Sequence, residues 1–507
     1  MTIRSVFSQS LRAQIFCGLM IAFATAALTS CHSNNYLAYK FPQYTYANRP
    51  VPPSLLAQRV MVSVTANGSS GSLQILDAKR DIRNNIENTR SSFSVSGYSS
   101  GYPNLILNFP AEITGYVYSN ATGDVQIVDY GKETVVRAAG NFPGATGLAI
   151  SPTFGHLYVA EERTGQLLVL DNLTGSSFAL NLPNVYQVAV NQGDTVALAM
   201  VRNSNTIYRV VKLNSSTASP GAFPTSTAAI AATGAVDCQP FNNPVYCAVP
   251  VNTGTQTTAF DRPVSAYFSL DGSLVYVLNC GPECGGSASS VTTLQQSVLE
   301  FNNIPTTVPD ASSYVSQVAV PGGATTGLSD GVTLYVSGQQ RQPDGLFAGN
   351  LSTLSVAALT ASPSTALTGT YSISDGNHTR MLFADDNTLW IGSQLCASGE
   401  RQKTGQNYNC LTRFDMGAKT ASVVPNVTPG NPNSAVPFPN TNQNQFYYGD
   451  LTGLCWVESF HKVYTAYGGQ VHAFNTTDGS EINNTNITVQ GTALDVAYLD
   501  ASTDGTN

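Results

Sequence analysis

One stretch, residues 147–175, constrains the fold of this chain more than any other feature. It reads GLAISPTFGHLYVAEERTGQLLVLDNLTG. Residues 147–151 form a short apolar strand, 157–161 a second strand with apolar residues at alternate positions, and 167–171 a third. Three such antiparallel strands make a small sheet, which cannot bury both of its faces alone. Copies must therefore stack around an axis, and this predicts a β-propeller.

The rest of the chain contains degraded copies of this unit. Pairs of ranges that match its second and third strands are 60–65 with 72–77, 115–119 with 124–129, 157–161 with 167–171, 196–201 with 206–213, 274–279 with 297–301, 333–337 with 345–350, 389–393 with 411–415, and 463–467 with 470–475. The alternating segment 492–499 has no pair of its own, so it predicts the missing inner strand beside 60–65. We expect an all-β propeller of about eight four-stranded antiparallel blades, with seven as the alternative, closed by the two chain ends in one blade.

Composition excludes several other classes of protein. Only 11% of the 507 residues are charged, and no helical period runs through the body of the chain. The formal net charge is -8, and no run of Lys or Arg is present. A surface of this kind has little with which to neutralise phosphates, so a nucleic-acid partner is not expected.

The N-terminal residues predict export and lipid attachment. Arg4 and Arg12 precede the uncharged apolar run 15–28, which is typical of a signal peptide and short for a membrane span. Leu28-Thr29-Ser30-Cys31 resembles the bacterial lipobox, and this resemblance implies cleavage before Cys31 and acylation of that residue. The alternative is an ordinary secretory signal followed by a chance Cys. His32 stands where an Asp would indicate inner-membrane retention, so the outer membrane of the cell envelope is preferred.

The predicted domains follow from these signals. They are a signal peptide at 1–30, a lipid-anchored tether at 31–58, the propeller at 59–500, and a disordered tail at 501–507. The Pro- and Tyr-rich tether either spaces the body from the lipid surface or packs against the propeller, and the sequence leaves both open.

Seven cysteines remain after Cys17 and Cys31, and an exported protein lies in an oxidising compartment. The spacing favours disulfides between Cys238 and Cys247, Cys280 and Cys284, and Cys396 and Cys410. The alternative for the Cys280-Gly-Pro-Glu-Cys284 segment is a metal fragment, but it has no second pair or nearby His, so no metal site is predicted. Cys455 is left over between apolar neighbours, which predicts a buried free thiol.

Two segments resemble the repeat of a known family. SLDGSLVYVLN at 269–279 and SPTFGHLYVA at 151–160 resemble the YVTN-type β-propeller repeat, with Glu161 standing where that repeat has Asn. A shorter match is TLYVS at 333–337. The resemblance implies a fold and brings no catalytic residue with it. The family usually has seven blades, and some of its relatives are lactonases.

The loops of the two propeller faces differ in length. First-to-second turns such as 152–155 are short, whereas second-to-third loops and inter-blade links such as 279–296 and 394–409 are long. Long loops on a rigid scaffold are where binding usually resides, although neutral surface variation is the alternative. The candidate binding residues on that face are Gln339, Gln340, Arg341, Arg401, Lys403 and Tyr408, with Glu161, Glu162 and Arg163 in a nearer blade.

No catalytic constellation is visible in the sequence. The five His are scattered, and Ser99 in GYSSG lacks the following helix that a nucleophile elbow needs. We therefore predict a monomeric, non-enzymatic scaffold without a cofactor that binds a protein or glycan. The alternative is a lactonase-like hydrolase, which converging carboxylates and His at the central channel would favour.

Overall fold

The structure is a computed structural model that describes residues 49–79, 81, 93–172, 175–213, 234–239, 245–304, 310–404, 409–424, 449–482, 487 and 489–502. The chain separates into two units, Met1–Ala57 and Gln58–Asn507. The predicted signal peptide and Cys31 lie outside the described residues. None of the helices in the described part has the length and apolar character needed to cross a bilayer.

The described strands form eight antiparallel sheets, here called blades 1 to 8 in chain order. Blade 1 contains β1 (Arg59–Thr65), β2 (Gly71–Asp77), β3 (Phe93–Ser94) and the C-terminal β32 (Thr492–Tyr498). Blade 2 contains β4 (Pro103–Phe109), β5 (Thr114–Ser119), β6 (Asp124–Asp129) and β7 (Thr134–Asn141). Blade 3 contains β8 (Gly147–Ile150), β9 (His156–Glu161), β10 (Gln166–Asp171) and β11 (Ser177–Asn181). Blade 4 contains β12 (Val185–Val190), β13 (Ala197–Val201), β14 (Ile207–Leu213), β15 (Asp237–Gln239) and β16 (Val245–Pro250).

The second half of the ring repeats this plan. Blade 5 contains β17 (Pro263–Phe268), β18 (Leu274–Asn279), β19 (Ser290–Gln295) and β20 (Tyr314–Ala319). Blade 6 contains β21 (Thr326–Ser329), β22 (Thr333–Arg341), β23 (Phe347–Ser355) and β24 (Leu367–Ser372). Blade 7 contains β25 (Asn377–Ala384), β26 (Thr388–Gln394), β27 (Leu411–Asp415) and β28 (Thr420–Val424). Blade 8 contains β29 (Leu451–Val457), β30 (Lys462–Tyr467) and β31 (Gln470–Asn475).

Helices in the described part are short. The α-helices are α1 (Gln296–Leu299), α2 (Val356–Ala361) and α3 (Glu400–Lys403), and the 3-10 turns are Pro110–Glu112, Gly281–Cys284, Pro363–Thr365 and Cys396–Ser398. The eight sheets and their order confirm the predicted fold class. Blade 4 has five strands, and blade 8 has three strands with isolated bridges from Ile487 and Glu481 to the outer side of β31.

Alternate residues of a strand face the two neighbouring blades, as β9 illustrates. Leu157 and Val159 belong to a core cluster with Tyr116 of blade 2. Tyr158 and Ala160, one residue out of phase, pack in a different cluster with Val188 of blade 4. All four β9 residues are fully buried. A strand with period-2 side chains thus supplies apolar cover on both faces, which is why the blades must be adjacent.

The two ends of the propeller domain close the ring in blade 1. β32 pairs with β1 in antiparallel register, with Val62 opposite Val496 and Val60 opposite Tyr498. This confirms the predicted closure. Three of the expected strand bounds are wrong. The third strand of blade 5 is β19 rather than 297–301, because the β-branched run SVTTLQ pairs with β18 and the next residues turn into α1.

The other two differences concern length. The β22–β23 pairing continues out to Arg341 opposite Phe347, so part of the expected loop 338–344 is a projecting hairpin. The stretch between the expected strands 206–213 and 274–279 contains β15 and β16, which extend blade 4.

A buried ion-pair cluster joins the two ends of the domain to blade 2. The Arg59 guanidinium donates to Asp500 Oδ1 at 2.7 Å, to Glu133 Oε1 at 3.0 Å and to the Tyr130 carbonyl at 2.6 Å. The exposed fractions of the Arg59, Glu133 and Asp500 side chains are 2%, 3% and 4%. Charges that are this fully buried must be paired. Arg59 therefore links three parts of the fold: the start of β1, the residues after β32, and blade 2.

We expect Arg59→Met to lower the free energy of unfolding by about 3–5 kcal/mol, because two buried carboxylates lose their shared cation. Chemical denaturation measures this. The matched control is Lys132→Met, since Lys132 is 75% exposed and pairs with Asp129 at 3.1 Å. Exposed pairs of this kind contribute only about 0–1 kcal/mol. Equal losses in the two variants would contradict the role given to Arg59.

Candidate functional site

The propeller has two unlike faces. On one, here called the turn face, first and second strands are joined by short turns such as 151–155, 269–273 and 385–387. On the other, here called the insertion face, second and third strands are joined by longer segments, among them 280–289 and 395–410. Links between blades reach the insertion face as well.

The insertions of blades 5, 6 and 7 are joined by hydrogen bonds to main-chain groups. Glu283 of blade 5 accepts the backbone N–H of Gln339 at 2.8 Å and its side-chain amide at 3.1 Å. The Gln339 side-chain oxygen in turn accepts the N–H of Gly376, which precedes β25, at 2.9 Å. Burial raises the pKa of the Glu283 carboxyl, although the two bonds from Gln339 act in the opposite direction.

Two more carboxylates accept main-chain N–H groups in the direction of blade 8. Asp375 is almost fully buried and accepts the N–H of Gly349 at 2.7 Å. Asp450, ahead of β29, accepts the N–H of Leu395 at 2.6 Å. Leu395 has a φ of 57° and is 59% exposed, which is a strained and unusual state for a large apolar residue.

Disulfides restrain these segments. Cys280–Cys284 encloses the turn that carries Glu283, and Cys396–Cys410 joins the two ends of the blade 7 insertion. Cys238–Cys247 links the directly opposed strands β15 and β16 of blade 4. These three are the pairs that the spacing predicts. Cys455 is a buried free thiol, also as predicted.

The predicted binding residues of blades 6 and 7 fall on the insertion face. Gln340 and Arg341 are exposed on the projecting hairpin, and Gln339 is half-buried at its base. Lys403 forms an ion pair with Asp344 at the tip of that hairpin, so the structure brings the two insertions into contact. The Arg401 side chain and Tyr408 lie outside the described residues.

Glu161, Glu162 and Arg163 form the second-to-third turn of blade 3. Glu161 is buried and accepts a hydrogen bond from the Thr164 hydroxyl at 3.0 Å. Glu162 pairs with Arg202 of blade 4, whose Cζ lies 4.3 Å from the centroid of the Tyr186 ring. Arg163 is exposed. Sequence reasoning missed Arg202 and Tyr186, because nothing in their local pattern places them beside blade 3.

Most inner strands have a one-residue irregularity in their pairing with the second strand. It lies near the start of the inner strand, at the insertion face and the mouth of the central channel. In six of the eight described inner strands the pairing skips one residue near the start. The residues that follow the skip, with their counterparts in β8 and β21, are Leu105, Gly147, Gln187, Ser265, Thr326, Arg380, Gly453 and Asp495.

Hydrogen bonds between successive blades run along this ring of residues. Ser265 donates to the Thr325 carbonyl, and Thr326 to the His378 carbonyl. Arg380 donates to the Thr452 carbonyl of blade 8 and, past it, to Asp495 of blade 1 at 2.8 Å. Asp495 also accepts the N–H of Ile106 in blade 2 at 2.9 Å.

Glycine at 453 permits the close approach of blade 8 to β32. A Cβ atom added there would lie 2.6 Å from the Val496 backbone nitrogen and 2.7 Å from Asp495 Oδ1. Asp495 is fully buried, and burial raises the pKa of its carboxyl, whereas Arg380 acts to lower it.

Other chemistry-bearing residues form small groups: His156 Nδ1 lies 2.6 Å from Asp194 Oδ2, and His472 Nδ1 lies 2.7 Å from Glu481 Oε1. Within the described ranges, no group of three or more His, Cys, Asp or Glu side chains is placed to hold a metal ion. His378 is buried, its Nε2 lies 2.8 Å from the Ser374 carbonyl, and burial lowers its pKa to about 4. Ser99 lies between β3 and β4, so a strand follows it rather than a helix.

The sheet order defines the class of protein: the chain is an eight-bladed β-propeller. No family model matches the sequence. No curated protein matches it. The family resemblance of the YVTN-type segments therefore stays a prediction.

The chain trace is similar to those of several solved structures. Dihydro-heme d1 dehydrogenase NirN is 13% identical with a TM-score of 0.48, and the match covers 91% of this chain and 79% of that one. A putative 6-phosphogluconolactonase from Bacteroides uniformis is 13% identical with a TM-score of 0.40, covering 87% and 99%. Apo AztD from Citrobacter koseri is 10% identical with a TM-score of 0.43, covering 87% and 96%. Similarity at this level carries no functional assignment.

The raised pKa of Glu283 gives a pH prediction. A carboxyl whose folded pKa exceeds its unfolded value adds stability at low pH, and loses that contribution as the pH rises through the folded pKa. We expect the wild type to lose stability relative to Glu283→Gln as the pH rises above about 4, the ordinary pKa of a Glu carboxyl. Denaturant unfolding at several pH values tests this, with Glu112→Gln on the turn face as control. A pH-independent difference would refute it.

Proposed function

We propose that this protein is a cell-envelope lipoprotein whose propeller acts as a non-enzymatic binding scaffold through the insertion face. The observation that carries the proposal is the bracing of the insertions of blades 5 to 8 by Glu283, Gln339, Asp375 and Asp450. Loops fixed before binding lose little conformational entropy when a partner docks. Such rigid insertions are costly to build, and binding gives a reason for them.

The surface that these insertions present suits a protein or glycan partner. Gln340 and Arg341 project on the hairpin, and Leu395 exposes an apolar side chain one blade away. Exposed Arg and isolated apolar groups on a rigid support are typical of contact surfaces.

The hydrolase alternative depends on the channel mouth. Of the eight ring residues, Asp495 is the carboxylate. Its Oδ2 accepts the N–H of Ile106 and a guanidinium N–H of Arg380, and its Oδ1 accepts the N–H of Val496. Ser265 and Thr326 donate to neighbouring carbonyls rather than facing a His. A base that is already bound on both sides is poorly placed to take a proton from water, so this arrangement supports binding over hydrolysis.

The proposed surface is tested by affinity capture from the native envelope. Arg341→Glu reverses an exposed charge on the hairpin and is expected to reduce recovery of the partner by about ten-fold, as loss of a contact worth about 1.4 kcal/mol would do. Recovery is measured by quantitative mass spectrometry.

The matched control is Arg137→Glu, which reverses an exposed charge on β7, the outer strand of blade 2. The same partners recovered at the same yield by wild type and both variants would show that the insertion face is the wrong surface.

The proposed anchor is tested separately. Cys31→Ser removes the sulfur that would carry the lipid, so the protein is expected to leave the membrane fraction and appear in the soluble fraction. Cys17→Ser, within the leader, is the control and should leave the distribution unchanged. Fractionation and intact-mass measurement of the N-terminal peptide read out both variants; an unmodified wild-type peptide would refute lipidation.

A further inference from the structure

A group of exposed apolar side chains lies at the turn face of blades 5 and 6. Leu270 and Val332, in the first-to-second turns of these blades, are 72% and 74% exposed. Val315 and Leu367 stand at the turn-face ends of the outer strands β20 and β24, and each is 36% exposed. Four of the nine large apolar side chains that are exposed in the described part of the chain thus belong to two neighbouring blades.

The two turns touch each other across the blade boundary. A Cβ atom added at Gly331 would lie 3.4 Å from Leu270 Cδ1, which places the Leu270 side chain against the turn that carries Val332. The Val332 carbonyl accepts the N–H of Val356, the first residue of α2, at 2.9 Å. Leu270, Val332 and the start of α2 therefore form one continuous surface.

α2 extends this surface over the outer strand of blade 5. The Ser316 hydroxyl of β20 donates to the Leu359 carbonyl of α2, and Leu359 packs with Val318 of β20 in one core cluster. Val315 precedes Ser316, and Leu367 follows the short 3-10 turn after α2, so both adjoin the same helix. The four exposed side chains together with α2 are here called the apolar patch.

The segments that carry the apolar patch have few charges. Residues 311–320 and 351–373 contain no Asp, Glu, Lys or Arg, and residues 263–340 contain no Lys or Arg. The carboxylates nearest in sequence are Asp271 and Asp330, which belong to the two turns and keep their negative charge. A surface of this kind does not attract anionic headgroups, whereas its uncharged side chains suit the interface of a bilayer made of zwitterionic lipid.

The strand order places the entry of the chain at the same face. β32 runs from the insertion face, where Asp495 lies at the channel mouth, to the turn face, and β1 is antiparallel to it with Val60 opposite Tyr498. β1 therefore begins at the turn face. The residues ahead of Arg59, which include the predicted anchor at Cys31, join the propeller domain at this face.

We propose that the apolar patch contacts a bilayer of zwitterionic phospholipid, so that the turn face is directed at the membrane and the insertion face away from it. The proposal rests on the lipid anchor of the proposed function and adds the orientation of the body. A relaxed chain as long as the predicted tether has an end-to-end distance of about 30 Å, which holds the face that it joins near the bilayer. The Leu and Val side chains then add a second, weak contact, whose effect is raised by the high local concentration of lipid.

The size of the apolar patch favours a bilayer over a protein. A stable protein interface takes about 20–30 residues from each partner and is centred on aromatic or Arg side chains. The apolar patch offers four aliphatic side chains and the small residues of α2, of which Ala357 and Ala361 are exposed. This is too little for a second copy of the chain, but an anchored protein needs only a small contact to fix its orientation.

The test uses the full-length lipidated protein in phosphatidylcholine vesicles, with and without bromine on the lipid acyl chains. Bromine quenches those indoles that reach the acyl region. Leu270→Trp introduces an indole into the apolar patch, and we expect brominated lipid to lower its fluorescence about two-fold, because an interfacial side chain lies at the boundary of the acyl region. The wild type gives the background, since Trp390 is fully buried and Trp456 is half-buried.

Two further variants locate the contact. Leu395→Trp is the matched control, because Leu395 is also an exposed Leu but lies on the insertion face, and its quenching should not exceed that of the wild type. Val332→Asp combined with Leu270→Trp should return the quenching to background, since a charge is costly to bring into the apolar region of a bilayer. Unchanged melting temperatures show that the variants fold.

Vesicle flotation and the intact mass of the N-terminal peptide, measured on the same samples, separate the anchor from the orientation. A lipidated protein that floats with the vesicles but shows no quenching at position 270 overturns the inference and leaves the anchor in place. Stronger quenching at position 395 than at position 270 reverses the orientation and overturns it as well. A protein that carries no lipid and does not float overturns the proposed anchor, and the inference with it.

Discussion

Each blade is a thin sheet with two apolar faces, and every other feature of this fold depends on both faces being covered by neighbours. β9 shows the principle in one strand, where Leu157 packs toward blade 2 and Tyr158 toward blade 4. An open row of blades would leave one apolar face bare at each end. Closure through β1 and β32 removes both ends, and it requires Ser63 to meet Asp495 across 432 residues of chain. The buried Arg59 cluster stands at this junction, where the two ends of the domain are fastened.

A second principle organises the insertion face. Carboxylates of an adjacent blade accept main-chain N–H groups of the strand residues Gln339, Gly349 and Ile106 and of the loop residue Leu395. The accepting residues are Glu283, Asp375, Asp495 and Asp450. Each such bond crosses a blade boundary. The same bonds that satisfy the backbone therefore also hold neighbouring insertions in register, so rigidity of the surface and integrity of the ring have a common source.

The strands and disulfides were predictable because their signals are local. Period-2 apolar patterns located most second and third strands, and Cys396 and Cys410 flank neighbouring strands whose closeness the repeat implies. Blade 5 shows the limit of this approach. Residues 297–301 contain apolar side chains as a strand does, but the preceding β-branched run 290–295 is the segment that pairs with β18.

The braces of the site were not predictable in this way. Packing between blades decides which carboxylate accepts which backbone N–H, as for Asp495 and Ile106, which are 389 residues apart. Single polar residues in loops do not produce a periodic pattern in the sequence, so their partners cannot be predicted from it.

Because β32 follows the strands of all the other described blades in sequence, blade 1 is the last of them that can be completed. When β1 and β2 leave the ribosome, the strand that must lie on their inner side has not been translated. Blade 1 therefore has an open hydrogen-bonding edge on β1 until residues 492–498 are available to pair with it, and the other blades can pack before the first is complete. A chain that stopped before residue 492 would leave this edge of β1 unpaired and the ring open.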